Sequence, residues 1–520
     1  MEEEPENIYW ADQIAEKVIK ERGKKEHYII ASGITPSGIV HIGNLREEMT
    51  CNIVKRALEG KGVKVKHIHS WDNYDRFRKV PVGIPQELSK YIGLPDSKVP
   101  DPWNCHKSYA EHFESDFSQS AKLINLIPEY IDETKEYTSC VYKELIKEAL
   151  IKKEQVITAL NTFKTEEIGE HWYPVEVYCE KCGKDSTTVK NYDGNYVLDY
   201  ECTCGFSGQV DFSKKGLVKL KWRIDWPMRW KFFGVDFEPG GKDHSTPGGS
   251  RDTAKIISKE VYSYESPIYQ MYDFVIVKGA GGKMSSSKGT GIALPVLLKV
   301  YLPEIVRFHY AGNRPKTEFA VSIEDDGVFK TYEDFYFAER VYFGKEKGID
   351  KKKETHLKRV YEMSVVEKPT KKMPVQIPFK YIVILSQFYG NDNKIIDKMI
   401  ESEHITKTQK NDPRIKQLIA CARNWVSEYA PDDYIYEVQT EKKGDVTPDE
   451  KGALKILYET LNKEFNEDDL YNIGKTSGLC GNFFKLCYRI LLNKERGPRL
   501  LELIDIIGKE KVKEIISKYM

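Results

Sequence analysis

The segment from Tyr28 to Ile68 constrains the fold more than any other stretch of the chain. The apolar run Tyr28-Ile29-Ile30-Ala31 ends in Ser32-Gly33-Ile34-Thr35-Pro36-Ser37-Gly38, where glycine and proline force a turn. From Val40 to about Leu58, the residues Ile42, Leu45, Met49, Ile53, Val54 and Leu58 share one helical face, closed by Gly60. Val63 to Ile68 then reads as a second strand. Strand, helix and strand in so short a span predict a right-handed crossover between parallel strands. Parallel sheets of this kind take ligands beyond their carboxyl ends.

The chain has 520 residues, room for three or four domains of roughly 150 residues. Lys+Arg and Asp+Glu both total 80, which excludes a uniformly basic nucleic-acid binder but not a local basic patch. The acidic start Met1-Glu2-Glu3-Glu4 lacks the features of a signal peptide, and no apolar run approaches a membrane span, so a cytoplasmic location is expected. Tryptophans, paired cysteines and polar turns mark residues 86–215 as an insertion between residues 1–85 and residues 216–293 of an α/β domain. Ile268 to Val277 reads as one strand, running into Lys278-Gly279-Ala280-Gly281-Gly282. Residues 294–375 form a connecting helical region whose stretch from Lys345 to Lys372 looks like a solvated connection. Residues 376–520 read as successive amphipathic helices, with Phe483, Phe484, Leu486, Ile490 and Leu491 spaced as core.

Two segments carry the chemistry. His41 and Asn44 lie three apart at a helix start, so both project toward whatever the positive helix end attracts, which suits a phosphate. Gly43 between them lets a flat ligand such as a purine approach the backbone. The loop Lys283-Met284-Ser285-Ser286-Ser287-Lys288-Gly289 offers two lysines and three hydroxyls that can fold over a polyphosphate. Singly, a His-x-x-Asn is more often a helix cap and a Lys/Ser loop is usually just solvated; bracketing one α/β domain together, they point to a nucleotide. Asp243 and His244 follow Gly240 and Gly241 on a turn, where Asp243 either meets ribose hydroxyls or caps the next helix.

Cys179-x-x-Cys182 and Cys202-x-Cys204, nineteen residues apart, present four thiolates on two turns and suit tetrahedral structural zinc. A redox dithiol would need one pair, not two. The lone Cys51, Cys140, Cys421, Cys480 and Cys487 read as buried, inert thiols. Asp101, Cys105, His106 and His112 are either a satisfied histidine pair on a helix or a second ligand set.

The sequences His41-Ile42-Gly43-Asn44 and Lys283-Met284-Ser285-Ser286-Ser287 resemble the two signatures of the class I aminoacyl-tRNA synthetases, each differing from the usual form at one place, Asn44 and Ser286. The resemblance is closer to the class I lysyl-tRNA synthetases through Asp72-Asn73-Tyr74-Asp75-Arg76-Phe77-Arg78-Lys79-Val80-Pro81, Asp225-Trp226-Pro227-Met228-Arg229-Trp230 and Gly240-Gly241-Lys242-Asp243-His244. It implies an α/β, Rossmann-type parallel-sheet catalytic domain, a zinc-binding insertion and an all-α carboxyl-terminal domain that reads the anticodon. The implied reaction joins L-lysine to tRNA(Lys) at the expense of ATP, with Mg²⁺, through a lysyl-adenylate.

In that scheme His41 and Asn44 meet the α-phosphate, and Lys283 and Lys288 the leaving pyrophosphate. Pro36, Gly43, Asp243, Ser285, Ser286 and Ser287 complete the ATP site. Gly33 and Thr35 are placed to hold the α-amino group of lysine, with Trp226, Tyr269 and His244 along its side chain and Asp72, Asp75 or Asp225 as ammonium partners. A second zinc site at Asp101, Cys105, His106 and His112 is also implied by the resemblance. Rival readings are a class I synthetase for another amino acid, a nucleotidyltransferase on the same fold, and a catalytically silent zinc- and RNA-binding protein.

Overall fold

The computed structural model describes residues 9–163, 167–169, 171–279 and 291–520. β1 (Tyr28–Ile34) lies at the centre of a five-stranded sheet. On one side β1 pairs in parallel with β2 (Val65–Trp71), which pairs with β3 (Glu129–Asp132). On the other side lies the strand Phe237–Gly241, followed by Ile268–Tyr272, again in parallel. Sheet growth therefore reverses at β1, which opens a crevice beyond the carboxyl ends of β1 and Phe237–Gly241.

Helix α2 (Ile42–Gly60) crosses from β1 to β2 and buries Ile42, Leu45, Met49, Ile53, Val54 and Leu58, the face expected from their spacing. It packs against α1 (Trp10–Arg22). The stretch expected as one strand from Ile268 to Val277 is two. Its second piece, Val275–Val277, leaves the central sheet and pairs with Phe319–Val321. The break falls at Asp273, whose backbone N–H donates to the Pro315 carbonyl and whose side chain accepts from the Phe274 N–H at 2.9 Å. A side chain that captures its neighbour's amide in this way competes with ladder bonding.

The lysine-rich stretch after Lys345 is also more ordered than its charge suggested. Lys351–Ser364 is a helix capped by Asp350, and beneath its lysines Val360, Tyr361 and Met363 are buried. Arg359 holds it to α1 through two contacts with Asp12, at 2.7 and 2.9 Å. Buried Arg307 donates to the Ile124 carbonyl at 2.9 Å and to the Met363 carbonyl at 3.0 Å, satisfying carbonyls left open where those segments end.

The chain divides into two compact units, residues 1–297, 303–321 and 344–369 in the first, and 298–302, 322–343 and 370–520 in the second. The first holds the central sheet and the insertion. Within the insertion, Thr187–Tyr192, Val197–Cys202 and Ser207–Asp211 form an antiparallel sheet, and Val175–Val177 pairs with Val218–Leu220. The second unit is helical from Phe379 onward. In it Phe483, Leu486, Ile490 and Leu491 are buried and Phe484 packs on Tyr471. A buried ion pair between Arg414 and Glu339, at 3.0 Å, ties two of its helices together.

Of the lone cysteines, Cys51, Cys421 and Cys487 are buried as expected, whereas Cys140 is half-buried and Cys480 exposed. Both exceptions stand on turns in left-handed backbone, φ 60° and 48°, rather than on a packed helix face. Among the described residues no helix is long and apolar enough to cross a membrane.

Gly216 meets the insertion's base so closely that an added Cβ would lie 2.3 Å from the Tyr137 carbonyl oxygen. Backbone cannot yield as a flexible side chain does, so Gly216→Ala should cost about 3 kcal/mol of overpacking strain. Thermal unfolding should show a midpoint several degrees below that of the parent, and an unchanged midpoint would contradict this packing.

Candidate functional site

Three cavities meet in the crevice above the sheet. The largest, 440 Å³, is lined by Gly33, Thr35, Asn44, Asp72, Asp75 and Tyr272 among others. A second, of 170 Å³, shares Asn44, His244 and Tyr272 with it and adds His41, Gly43, Gly241 and Asp243. The third, a slot of 60 Å³, joins the largest through Gly33, Glu47, Trp222 and His244. His244 lines all three, so the two smaller cavities adjoin the largest there as its two arms.

The helix start is a reciprocal cap that borders the 170 Å³ arm. His41 is the N-cap of α2, and its Nδ1 accepts from the backbone N–H groups of Gly43 at 3.1 Å and Asn44 at 3.2 Å. Asn44 Oδ1 in turn accepts from the His41 N–H at 3.2 Å. This reciprocal arrangement uses the acceptor atom of each side chain. The His41 ring and the Asn44 side chain both border the 170 Å³ arm. Asparagine at position 44 thus closes the cap that His41 begins.

Lys283, Ser285, Ser286, Ser287 and Lys288 lie outside the described residues. The segment that follows them abuts the helix start. The Ile42 N–H donates to the Ile292 carbonyl at 2.8 Å, His41 forms a bridge with Ala293, and a Cβ on Gly291 would stand 2.7 Å from that of His41. Val275, on the strand that leads toward the loop, lines the same arm as His41. Asp243 also lines this arm, in a short turn, and Ser250–Glu260 begins after Gly249, so Asp243 does not cap that helix. Pro36 occupies the loop between β1 and α2.

Of the residues expected around lysine, Gly33 and Thr35 line the main cavity and Trp226 the slot. Tyr269 is not among the lining residues of these three cavities. Its hydroxyl pairs with Ser245 at 2.7 Å, and its ring packs over Gly240 and under Arg251. The three aspartates are already engaged. Asp225 contacts Lys219 at 3.2 Å and Arg229 at 3.4 Å and accepts from the Tyr137 hydroxyl. Asp72 contacts Arg229 at 2.5 Å, and Asp75 contacts Lys219 at 3.1 Å while accepting from the Thr35 hydroxyl at 3.3 Å. Lys219 and Arg229 therefore fix the floor of the crevice, and neither was foreseen.

Glu47 was also missed. It is one turn beyond Asn44 on α2 and lines both the main cavity and the slot. Its oxygens accept from the Gly33 N–H at 2.9 Å and the Tyr272 hydroxyl at 2.6 Å. Burial pushes its carboxyl up to about 8, against the pull of those two donors. The sequence signal was the spacing itself, since Asn44 and Glu47 share a helix face.

The four cysteines converge. Their sulfurs lie within 4.8 Å of one another, with Cys179 to Cys204 at 3.8 Å and Cys182 to Cys202 at 3.6 Å. Zn–S bonds of about 2.3 Å in a tetrahedron place sulfurs about 3.8 Å apart, so the cluster is compatible with zinc. Gly183 and Gly205, at φ 74° and 82°, turn the chain back after each pair. Asp101, Cys105, His106 and His112 also gather within 4.8 Å, with Cys105 Sγ 3.2 Å from His106 Nδ1 and 3.3 Å from His112 Nδ1. Asp101 Oδ2 accepts from the backbone N–H groups of Cys105 and His106, both at 2.8 Å, which shapes the turn between the two.

Residues 8–367 match the family described as tRNA synthetases class I (K). The chain belongs to that family. It is 42% identical over 525 residues to a lysine–tRNA ligase of Borreliella burgdorferi, covering 98% of this chain and 99% of the relative. It is likewise 42% identical to a lysine–tRNA ligase of Pyrococcus furiosus, with 97% and 98% covered, and 37% identical to one of Treponema pallidum, with 99% of both covered. The parallel sheet is thus the platform of a class I tRNA synthetase fold.

Glu47 predicts a pH effect on this platform. Its carboxyl is raised from the ordinary 4.5 to about 8, so between those values the folded protein keeps a proton that the unfolded chain releases. The group's contribution to stability should fall as pH rises through that window. Urea unfolding at pH 5.5, 7 and 8.5 should show a shallower decline in Glu47→Gln than in the parent; parallel curves would exclude Glu47 as the source.

Proposed function

We propose that the chain joins L-lysine to tRNA(Lys) in two steps. The lysine carboxylate attacks the α-phosphate of ATP, forming lysyl-adenylate and releasing pyrophosphate, and the lysyl group then passes to the 2′-hydroxyl of the terminal tRNA ribose. The observation that carries this reading is the match over nearly the whole chain to lysine–tRNA ligases, joined to a crevice whose two arms meet at His244. Such chemistry needs positioned donors and charge stabilisation rather than a covalent nucleophile.

The 170 Å³ arm is suited to the nucleotide. His41 Nε2–H and the Asn44 amide would stabilise the charge that develops on the α-phosphate, while Gly43 lets the purine lie against the backbone and Asp243 accepts from ribose hydroxyls. Pro36 would flank the nucleotide. Lys283 and Lys288, with Ser285, Ser286 and Ser287, are assigned to the β- and γ-phosphates. Mg²⁺ would enter with ATP and neutralise those phosphates. Gly33, Thr35, Trp226, His244 and Tyr269 are assigned to lysine. The Gly33 backbone and Thr35 hydroxyl would approach the α-amino group, the Trp226 ring and His244 the side chain, and Tyr269 would support the wall through Ser245.

The four-cysteine cluster would hold structural zinc, and the Asp101, Cys105, His106 and His112 set would hold a second ion. Residues 376–520 would read the anticodon. In support, a 550 Å³ cavity in the second unit combines Lys380, Lys494 and Arg496 with Tyr434 and Tyr436, which pairs cations for phosphate with rings on which a base can stack.

ATP–pyrophosphate exchange with each amino acid in turn tests the reaction. Exchange should depend on lysine, and dependence on arginine or glutamate instead would overturn the assignment. His41→Ala should lower lysine-dependent exchange roughly 10²-fold or more through loss of a transition-state donor, beyond the about 1 kcal/mol of stability lost with the helix cap. Metal analysis of the purified protein should find two zinc equivalents, with one lost in Cys202→Ser and the other in Cys105→Ala. A single equivalent in the parent would remove the second site.

A further inference from the structure

The 170 Å³ arm has three walls drawn from separate parts of the chain. Asn44 comes from the start of α2, Asp243 and His244 from the turn after Phe237–Gly241, and Asp273 and Val275 from the break between Ile268–Tyr272 and Val275–Val277. The last register pair of the two strands is Gly241 with Tyr272, and both chains leave the ladder there. Beyond that point side chains take over the spacing of the second and third walls.

Lys242 Nζ contacts Asp273 Oδ2 at 2.9 Å, a charge-assisted bond that joins the turn to the break. Asp273 is itself held. It is buried, its Oδ1 accepts from the Phe274 N–H at 2.9 Å, and its own N–H donates to the Pro315 carbonyl at 2.8 Å. That carbonyl also accepts from Arg46 at 2.8 Å, as do the carbonyls of Arg314 and Thr317. Arg46 stands on α2, two residues past Asn44. The contacts from Arg46 through Pro315 and Asp273 to Lys242 therefore tie all three walls together, and Asp273 is the joint between them.

The turn has other anchors further along. His244 Nδ1 pairs with the Ser250 hydroxyl at 2.8 Å, and Ser245 donates to the Gly241 carbonyl at 3.0 Å and pairs with the Tyr269 hydroxyl at 2.7 Å. Lys242 opens the turn, so its bridge sets the side next to Asp243, while His244 and Ser245 keep their own partners. Loss of the bridge should loosen the Asp243 side of the arm and leave His244, which also borders the main cavity and the slot, in place. The Lys242 side chain is half-exposed, and ion pairs of that kind contribute little to stability. A contact that is nearly neutral for folding yet joins two walls of a binding cavity has its effect on position.

We propose that Lys242 and Asp273 form a positioning pair that sets the width of the nucleotide arm, holding the Asp243 turn at the distance from the His41 helix start at which ATP fits. The inference rests on the reading of the crevice as the site of ATP-dependent lysine activation. To that reading it adds two residues that act through the wall and not on the reacting atoms.

The test is ATP–pyrophosphate exchange with KM for ATP and KM for lysine measured separately, alongside thermal unfolding. Lys242→Met keeps the side-chain stem without its charge, and Asp273→Asn keeps an oxygen for the Phe274 N–H. Each should raise KM for ATP roughly tenfold while KM for lysine and the unfolding midpoint stay near their parental values. Lys242→Arg, which keeps the cation, should hold KM for ATP within about twofold of the parent. The double variant should be no worse than either single one, because both remove the same contact. Asp273→Ser, which also removes the charge, replaces the asparagine variant if that does not fold. A parental KM for ATP in both single variants would overturn the pair, as would an equal rise in both KM values. A rise in Lys242→Met alone, or effects that multiply in the double variant, would make Lys242 a direct ligand of the nucleotide and overturn it too. Each of these results leaves lysine-dependent exchange in the parent standing; a parent that exchanges with no amino acid would overturn the underlying reading and this one with it.

Discussion

Everything at the site depends on the parallel pairing of β1 with strands from both directions of the chain. β2 follows β1 after a single helix, but its other neighbour, Phe237–Gly241, arrives some two hundred residues later. That pairing brings Gly33, Thr35 and the His41 helix start beside Glu238, Gly241 and His244. With the hydrogen-bond ladder closed on both sides of β1, the loops beyond it have one outlet, the crevice.

The floor of that crevice is made of charge rather than of apolar packing. Lys219 and Arg229 are buried among Asp72, Asp75, Asp225 and Glu133, and each cation touches more than one carboxylate. Such a cluster contributes little net stability, because desolvation offsets the attraction, but removing one member leaves an uncompensated charge. Its effect is geometric. Asp75 holds the Thr35 hydroxyl, and Lys219 holds Asp75, so a strand at the base of the insertion reaches the 440 Å³ cavity through two contacts.

Much of this was legible in the sequence. The alternation of apolar run, glycine-proline turn and helical face fixed β1, α2 and β2 to within a few residues, because each local signal agreed with the others. The cysteine pairs announced their convergence, since four thiols on two turns have few other uses. The His-x-x-Asn at the start of α2 is the helix cap that its spacing allowed, and it also borders the 170 Å³ arm. Nδ1 of His41 and Oδ1 of Asn44 serve the helix. What stayed hidden was pairing at long range. Nothing local distinguishes Glu238 from any other acid in a strand, and only the tryptophans twelve and eight residues before it reveal its surroundings. Local charge also misled at Lys351–Ser364, where lysines on one face concealed the buried Val360 and Tyr361 on the other.

That helix has a bearing on how the polypeptide is made. The first unit takes its last piece from residues 344–369, after the chain has already contributed residues 322–343 to the second. A nascent chain emerging from the ribosome therefore cannot complete the sheet-bearing unit when its strands are out. Asp12 must wait for Arg359, and Ile124 and Met363 must both be present before Arg307 is satisfied. Until then a guanidinium destined for the interior stays in water, which delays final consolidation of the sheet-bearing unit until residue 369 of the 520 has been added.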